Sequence, residues 1–261
     1  MRRVRVIPCL LIQGRSLVKT VRFKDPRYIG DPINAVRIFN EKEVDELILL
    51  DISAVRQGKA PDLRLLTEIA GECFMPLCYG GGIRTLEDVK GILSLGAEKV
   101  AVNTTAVERP SFVREIADAV GSQSIVVSID VTRTTAGEYE VRTRGGSRGT
   151  GIDPVACARQ MEELGAGELI VNSIDRDGTM GGYELDLIGR VARAVKIPVI
   201  ACGGAGGTRD FSAAAKIAGA SAVAAGSLFV YYGRHHAVLI NYPSSAELEA
   251  VFAEGGVRAD G

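Results

Sequence analysis

The feature that most restricts the fold of this chain is a pattern it carries twice. Glu46-Leu47-Ile48 recurs as Glu168-Leu169-Ile170, 122 residues later. The same offset carries Pro76 onto Pro198, Gly81-Gly82 onto Gly203-Gly204 and Asp88 onto Asp210. One residue further along, Gly96-Ala97 pairs with Gly219-Ala220. Around these anchors, short apolar runs alternate with amphipathic stretches. The segments 4–10, 47–50, 76–79, 99–102, 124–129, 169–172, 198–202 and 222–225 read as strands. The segments 31–40, 63–73, 86–95, 110–119, 153–164, 185–195 and 210–218 read as helices. Strands that are apolar throughout, each followed by a helix, indicate a parallel sheet covered by helices. Eight such units in 261 residues, in matching halves of about 1–120 and 121–261, close naturally into an α/β (βα)8 TIM barrel. One domain spanning 1–261 is expected, with an open doubly wound sheet as the rival. The period is too long for a solenoid repeat.

Composition removes several function classes. Thirty-one basic and 32 acidic side chains leave a formal charge of −1, which argues against a large nucleic-acid footprint. The longest uncharged stretch, 217–233, is shorter than a membrane span and is broken by glycine and serine. The N-terminal apolar run is interrupted by Pro8 and lacks a small-residue cleavage site, so it reads as a strand rather than a signal peptide. Five cysteines without metal-type spacing read as reduced thiols, and the expected location is the cytoplasm. No residue pattern demands a metal or a cofactor.

Barrel enzymes place their chemistry at the carboxyl ends of the strands. There the chain is glycine-rich in symmetric places: LCYGGGIRT (77–85), with Gly81 and Gly82, and ACGGAGGT (201–208), with Gly203 and Gly204. Glycine lets backbone N–H groups approach an anion closely. The next strands end in VNTT (102–105), with Asn103 and Thr104, and AAGS (224–227), with Gly226 and Ser227. The matched pair predicts two phosphate sites across the mouth and an elongated, bis-phosphorylated ligand, although glycine as turn punctuation is the alternative for either loop. The segment 11–30 is too long for an ordinary connection, so Lys19 is expected to close over such a ligand, with Arg22, Lys24 and Arg27 adding positive charge.

Asp130 directly follows an apolar run and is expected to point its carboxylate into the mouth as an acid–base group. Asp51, Asp175 and Asp177 also sit at strand ends, Asp177 with Gly178 beside it, and helix capping is the alternative role for Asp51. Counted from the start of each half, the first-strand equivalent of Asp130 is Leu11, which cannot transfer protons. At the opposite ends of the strands, Arg5, Glu46, Lys99 and Glu168 head their apolar runs, and two charges of each sign would cancel as a buried ring.

The runs VIPCLLI (6–12), GDP (30–32), DELILLDISA (45–54), YGGGIRT (79–85), VNTTAV (102–107), GSQSIVVSID (121–130), GAGEL (165–169), NSIDRDGT (172–179) and ACGGAG (201–206), with Lys19, resemble HisF, the cyclase subunit of imidazole glycerol phosphate synthase. The likeness covers about residues 1–232. It implies a barrel that takes ammonia from a HisH-like glutaminase subunit. With that ammonia it converts a bis-phosphorylated ribulosyl aminoimidazole carboxamide derivative into imidazole glycerol phosphate. It also implies a pair of acid–base aspartates at positions 11 and 130, of which only Asp130 is present, and an ammonia gate formed by Arg5, Glu46, Lys99 and Glu168. The segment 10–28 and the tail 234–243 are more similar to a divergent HisF-like branch that accompanies sugar amidotransferases in surface-polysaccharide synthesis. The resemblance therefore implies ammonia delivery to a sugar amidotransferase, with the cyclase of histidine biosynthesis as the alternative. A phosphosugar isomerase is a third reading, and it leaves Glu46, Lys99 and Glu168 without a purpose.

Other residues carry weaker signals. Adjacent His235 and His236 make a poor metal pair. Cys9 and Cys202 read as small apolar fillers, and Tyr231, Tyr232 and Tyr242 as packing of the last helix. RTRGGSRGT (142–150) lacks aromatic stacking platforms and reads as a mobile loop rather than a nucleic-acid site.

Overall fold

The computed structural model describes residues 4–233 and 235–253. The termini of the expected 1–261 domain, and Arg234 at the head of the tail segment, lie outside the described residues. Eight parallel strands close on themselves: β1 (Arg5–Gln13), β2 (Leu47–Asp51), β3 (Leu77–Gly80), β4 (Lys99–Val102), β5 (Ile125–Arg133), β6 (Glu168–Ser173), β7 (Val199–Cys202) and β8 (Ala222–Ala225). The barrel is shut by pairing of β5 with β6 and of β8 with β1. The helices α1 (Pro32–Glu41), α2 (Leu63–Ala70), α3 (Leu86–Ser94), α4 (Ser111–Val120), α5 (Pro154–Glu163), α6 (Leu185–Ala192), α7 (Thr208–Lys216) and α8 (Ser245–Ala253) follow the strands. The open-sheet rival is excluded by closure.

Side chains alternate across each strand with period two. Val6, Leu10, Leu47, Leu49, Val127 and Leu169 join the core beneath the helices. Their neighbours Ile7, Ile48, Cys78, Ala101, Val126, Ile170, Ile200 and Ala222 fill the barrel interior. Local signals start the helices. Asp31 caps α1 through Asn34 N–H with Pro32 just inside, and Asp153 caps α5 with Pro154 just inside.

The duplicated sequence produces duplicated bonds. Asp88 Oδ2 accepts from the N–H groups of Arg84 (2.9 Å) and Thr85 (3.0 Å) at the start of α3. Asp210 Oδ2 accepts from Gly206 (2.8 Å) and Gly207 (3.0 Å) at the start of α7. The repeated aspartate therefore ties each glycine loop to the helix that follows it.

Three expectations need correction. Residues 11–30 do not form a loop: β1 runs on to Gln13 and pairs antiparallel with Ser16–Val21, which pairs with Lys24–Gly30. Gly14, at φ +59°, turns the chain, and Leu17 to Thr20 of the returning strand are all buried. Residues 142–150 are not a mobile loop either. Tyr139–Thr143 pairs antiparallel with the end of β5, and Arg148–Gly149 returns against it. Finally, Tyr231 and Tyr232, expected as packing of the last helix, form a hairpin with Ala237–Val238 that, after the short helical turn Ser227–Val230, separates β8 from α8, and Tyr232 is exposed. His236 stacks on Tyr231 beside that hairpin's turn, whereas Tyr242 packs on Phe229 and donates to the Val6 carbonyl at 2.8 Å.

Candidate functional site

The carboxyl ends of the strands surround a cavity open to solvent. Its wall includes Leu11, Lys19, Asp51, Gly81, Gly82, Asn103, Thr104, Asp130, Asp177, Gly178, Gly203, Gly204, Gly226 and Ser227, so the sequence-derived mouth residues are brought together. The two glycine loops have a steric reason for their composition. Gly81 has φ +120°, and a Cβ there would lie 2.4 Å from the Asp51 carbonyl oxygen. Gly203 has φ +84°, and a Cβ there would lie 2.6 Å from Asn172 Oδ1. Only glycine allows the backbone so close at these turns.

Asp130 lies at the end of β5 with 8% exposure. Burial pushes its carboxyl up to about 7, and the nearby Asp177 carboxylate acts in the same direction. Hydrogen bonds from Ser128 and Asn172 oppose the rise without cancelling it; the Ser128 Oγ donates at 3.0 Å. A group with that pKa near neutrality is suited to proton transfer. Leu11, also 8% exposed, is in register with Leu50 and Val18 on the neighbouring strands and gives the cavity an apolar wall.

Lys19 is carried on the second strand of the β1 hairpin and buried in the mouth. Its Nζ meets Asp177 Oδ1 at 3.1 Å, and Thr20 Oγ1 donates to Asp177 Oδ2 at 3.1 Å. Burial works against the ammonium, but Asp177 together with its other neighbours, Cys9 and Cys202, outweighs it and holds the group above its ordinary range. A Cβ on Gly226 would stand 3.1 Å from Lys19 Nζ, which places the cation at the second-half strand end. The other basic residues of this segment do not join it. Arg22, Lys24 and Arg27 are exposed and absent from the cavity wall, and Arg22 Nε donates to the Asp175 carbonyl.

Two other carboxylates have local duties. Asp51 Oδ1 accepts from Ser53 N–H (2.8 Å), Ser53 Oγ (2.7 Å) and Ala54 N–H (3.1 Å), so it secures the turn after β2 while bordering the cavity. Asp175 turns away from the mouth to accept from Thr132 Oγ1 and Arg133 N–H. Asn103 Nδ2 donates to the Ser128 carbonyl, and Thr104 Oγ1 accepts from Arg144 N–H. Ser227 Oγ and Asn172 Oδ1 are buried and have no hydrogen-bond partner among the described residues. Ser128, Asn172, Phe23 and Arg56 were missed from the sequence. Ser128 was findable, because it stands two residues before Asp130 on the same face, and Asn172 is in register with Asp130 across the β5–β6 pair.

At the opposite rim, Arg5, Glu46, Lys99 and Glu168 converge into a closed ring. Arg5 Nη1 bonds Glu46, and Arg5 Nη2 meets Glu168 Oε1 at 2.6 Å. Lys99 Nζ lies 3.0 Å from both Glu46 Oε1 and Glu168 Oε2. Burial opposes the charges of Arg5 and Lys99, yet the two glutamates hold both above their ordinary values. Each charge touches two of opposite sign, which is what makes four ionised groups tolerable there. Above the ring the interior is neutral, with Cys78 and Ala101 among its smaller side chains.

A closed (βα)8 barrel with one glycine loop in each half and a buried acid at its mouth defines the class of barrels with two similar halves. The histidine biosynthesis protein family matches residues 5–236. A Pseudomonas aeruginosa protein, provisionally named imidazole glycerol phosphate synthase subunit hisF2, is 55% identical over 95% of this chain and 98% of its own length. A Leptospira borgpetersenii protein provisionally named imidazole glycerol phosphate synthase subunit HisF is 51% identical over 97% of this chain and all of its own length. Imidazole glycerol phosphate synthase subunit HisF of Streptomyces coelicolor is 47% identical over 87% of this chain and 90% of its own. The chain belongs to the HisF family. Among the described residues, no helix is long and apolar enough to cross a membrane.

Proposed function

We propose that this chain is the ammonia-accepting subunit of a glutamine amidotransferase complex. It takes ammonia from a HisH-like glutaminase and passes it to a sugar amidotransferase. The observation that carries this reading is the combination of a closed four-charge ring at one rim with Leu11 at the other. At such a ring uncharged ammonia escapes the desolvation cost that ammonium must meet. The neutral interior suits the same cargo. Delivery needs no acid–base group at position 11. The glycine loops, with Lys19, Asn103, Thr104 and Ser227 beside them, are assigned to a bis-phosphorylated small molecule.

A second reading, the cyclase of histidine biosynthesis, is favoured by Asp130, which remains buried at the mouth with its carboxyl near 7. The two are separated by supplying the purified chain with the bis-phosphorylated ribulosyl substrate and an ammonium salt at high pH. Delivery predicts imidazole formation about 10²–10⁴-fold slower than an ordinary HisF, the usual contribution of one acid–base group. Turnover at an ordinary rate would establish the cyclase reading instead.

A further inference from the structure

Among the described residues, only two cationic side chains border the mouth cavity, Lys19 and Arg56. Lys19 is neutralised by Asp177. Arg56 is different: its Nη2 donates to the carbonyls of Phe23 (3.2 Å) and Gly145 (3.1 Å), and neither acceptor carries a charge. Those carbonyls belong to the tips of two separate hairpins, one growing from β1 and one from β5. The guanidinium is thereby held at the rim with the donors on Nε and Nη1 uncommitted.

Its position is on the first-half side of the mouth. The N–H of Arg144, next to Gly145, donates to Thr104 Oγ1 at 2.9 Å. A Cβ on Gly82 would press on Ala54 and on the Lys59 carbonyl, both in the loop that carries Arg56. Lys19 stands at the second-half strand end, so Arg56 supplies the first half with the cation it otherwise lacks. A planar guanidinium with several donors matches phosphate oxygens better than an ammonium does.

We propose that Arg56 is the specificity-determining side chain for the phosphate held at the first-half glycine loop, poised there by the two hairpin tips. This rests on the phosphate assignment made under Proposed function, and the test separates the two. The full-length chain, Arg56→Gln and Arg56→Lys are titrated with inorganic phosphate at low ionic strength by calorimetry. Hydrogen exchange at Phe23 and Gly145 is followed in parallel. The unsubstituted chain is expected to show two sites. Arg56→Gln should weaken one of them by about 10- to 100-fold and leave the other unchanged, as loss of a charge-assisted contact does. Arg56→Lys should recover part of the loss. Two unaltered sites in Arg56→Gln would overturn the proposal, and faster exchange at the hairpin tips without a change in phosphate binding would reduce Arg56 to a structural strap. Absence of phosphate binding in the unsubstituted chain would remove the phosphate assignment itself, and this inference with it.

Discussion

Replacing Asp130 by asparagine should stabilise the protein in a pH-dependent manner. The carboxyl titrates at about 7 in the folded chain. In an unfolded chain an aspartate titrates at about 3.9. The folded state therefore holds this proton more tightly, and between the two values it binds more protons than the unfolded state. The contribution of Asp130 to stability is intact below about pH 4, declines as pH rises through the interval, and is fully lost above about pH 7. Roughly three pKa units correspond to about 4 kcal/mol. An amide does not titrate, and its oxygen can still accept from the Ser128 hydroxyl. Any cost of seating the amide nitrogen is independent of pH, so the slope of the difference is the informative quantity. Urea unfolding of both proteins at several pH values from about 4 to about 8 measures it. The stability of Asp130→Asn relative to the unsubstituted chain should climb by up to about 4 kcal/mol over that range. Parallel profiles would show that the mouth does not desolvate this carboxylate, and the reasoning that makes it a proton-transfer group would fail.

Lys99→Ala leaves the buried Glu46 with Arg5 alone, and breaking one member of such a ring should lower unfolding stability by about 3–5 kcal/mol in urea titrations. In a complex with the glutaminase, the same substitution should reduce glutamine-driven product more than product formed from added ammonium; equal reductions would count against the gate. Leu11→Asp introduces a carboxylate beside Leu50 and facing the cavity, and should raise imidazole formation in the ammonium-driven assay by about 10²-fold or more. No gain would show that the cavity differs from a cyclase site beyond this one residue. Gly203→Ala places a methyl group 2.6 Å from Asn172 Oδ1 and 2.7 Å from the Ser173 carbonyl at φ +84°, and should cost about 1–3 kcal/mol in thermal or chemical unfolding. Gly14→Ala, where nothing lies within 4 Å, should cost less and serves as the control.

Much of this molecule was legible before folding because the signals are local. The alternation of apolar residues, the aspartate and proline at the starts of α1 and α5, and the twice-repeated glycine pairs depend only on neighbouring residues and backbone stereochemistry. They sufficed for eight strands, seven of the helices and the glycine loops at the mouth. The same locality explains the errors. Residues 11–30 and 142–150 were read as loops, since each lies in an antiparallel hairpin held by partners on β1 and β5 that no short window contains.

Only the closed tertiary structure decided the rest. Arg5, Glu46, Lys99 and Glu168 are far apart in the chain and meet because barrel register brings four strand starts to one level. Asp130 acquires its raised pKa from burial and from Asp177, a neighbour 47 positions away, and Arg56 bridges hairpins that belong to opposite halves. Secondary structure and turns follow from short-range sterics and hydrogen bonding. Charge pairing and desolvation depend on which groups exclude water around one another, and closure of the cylinder sets that.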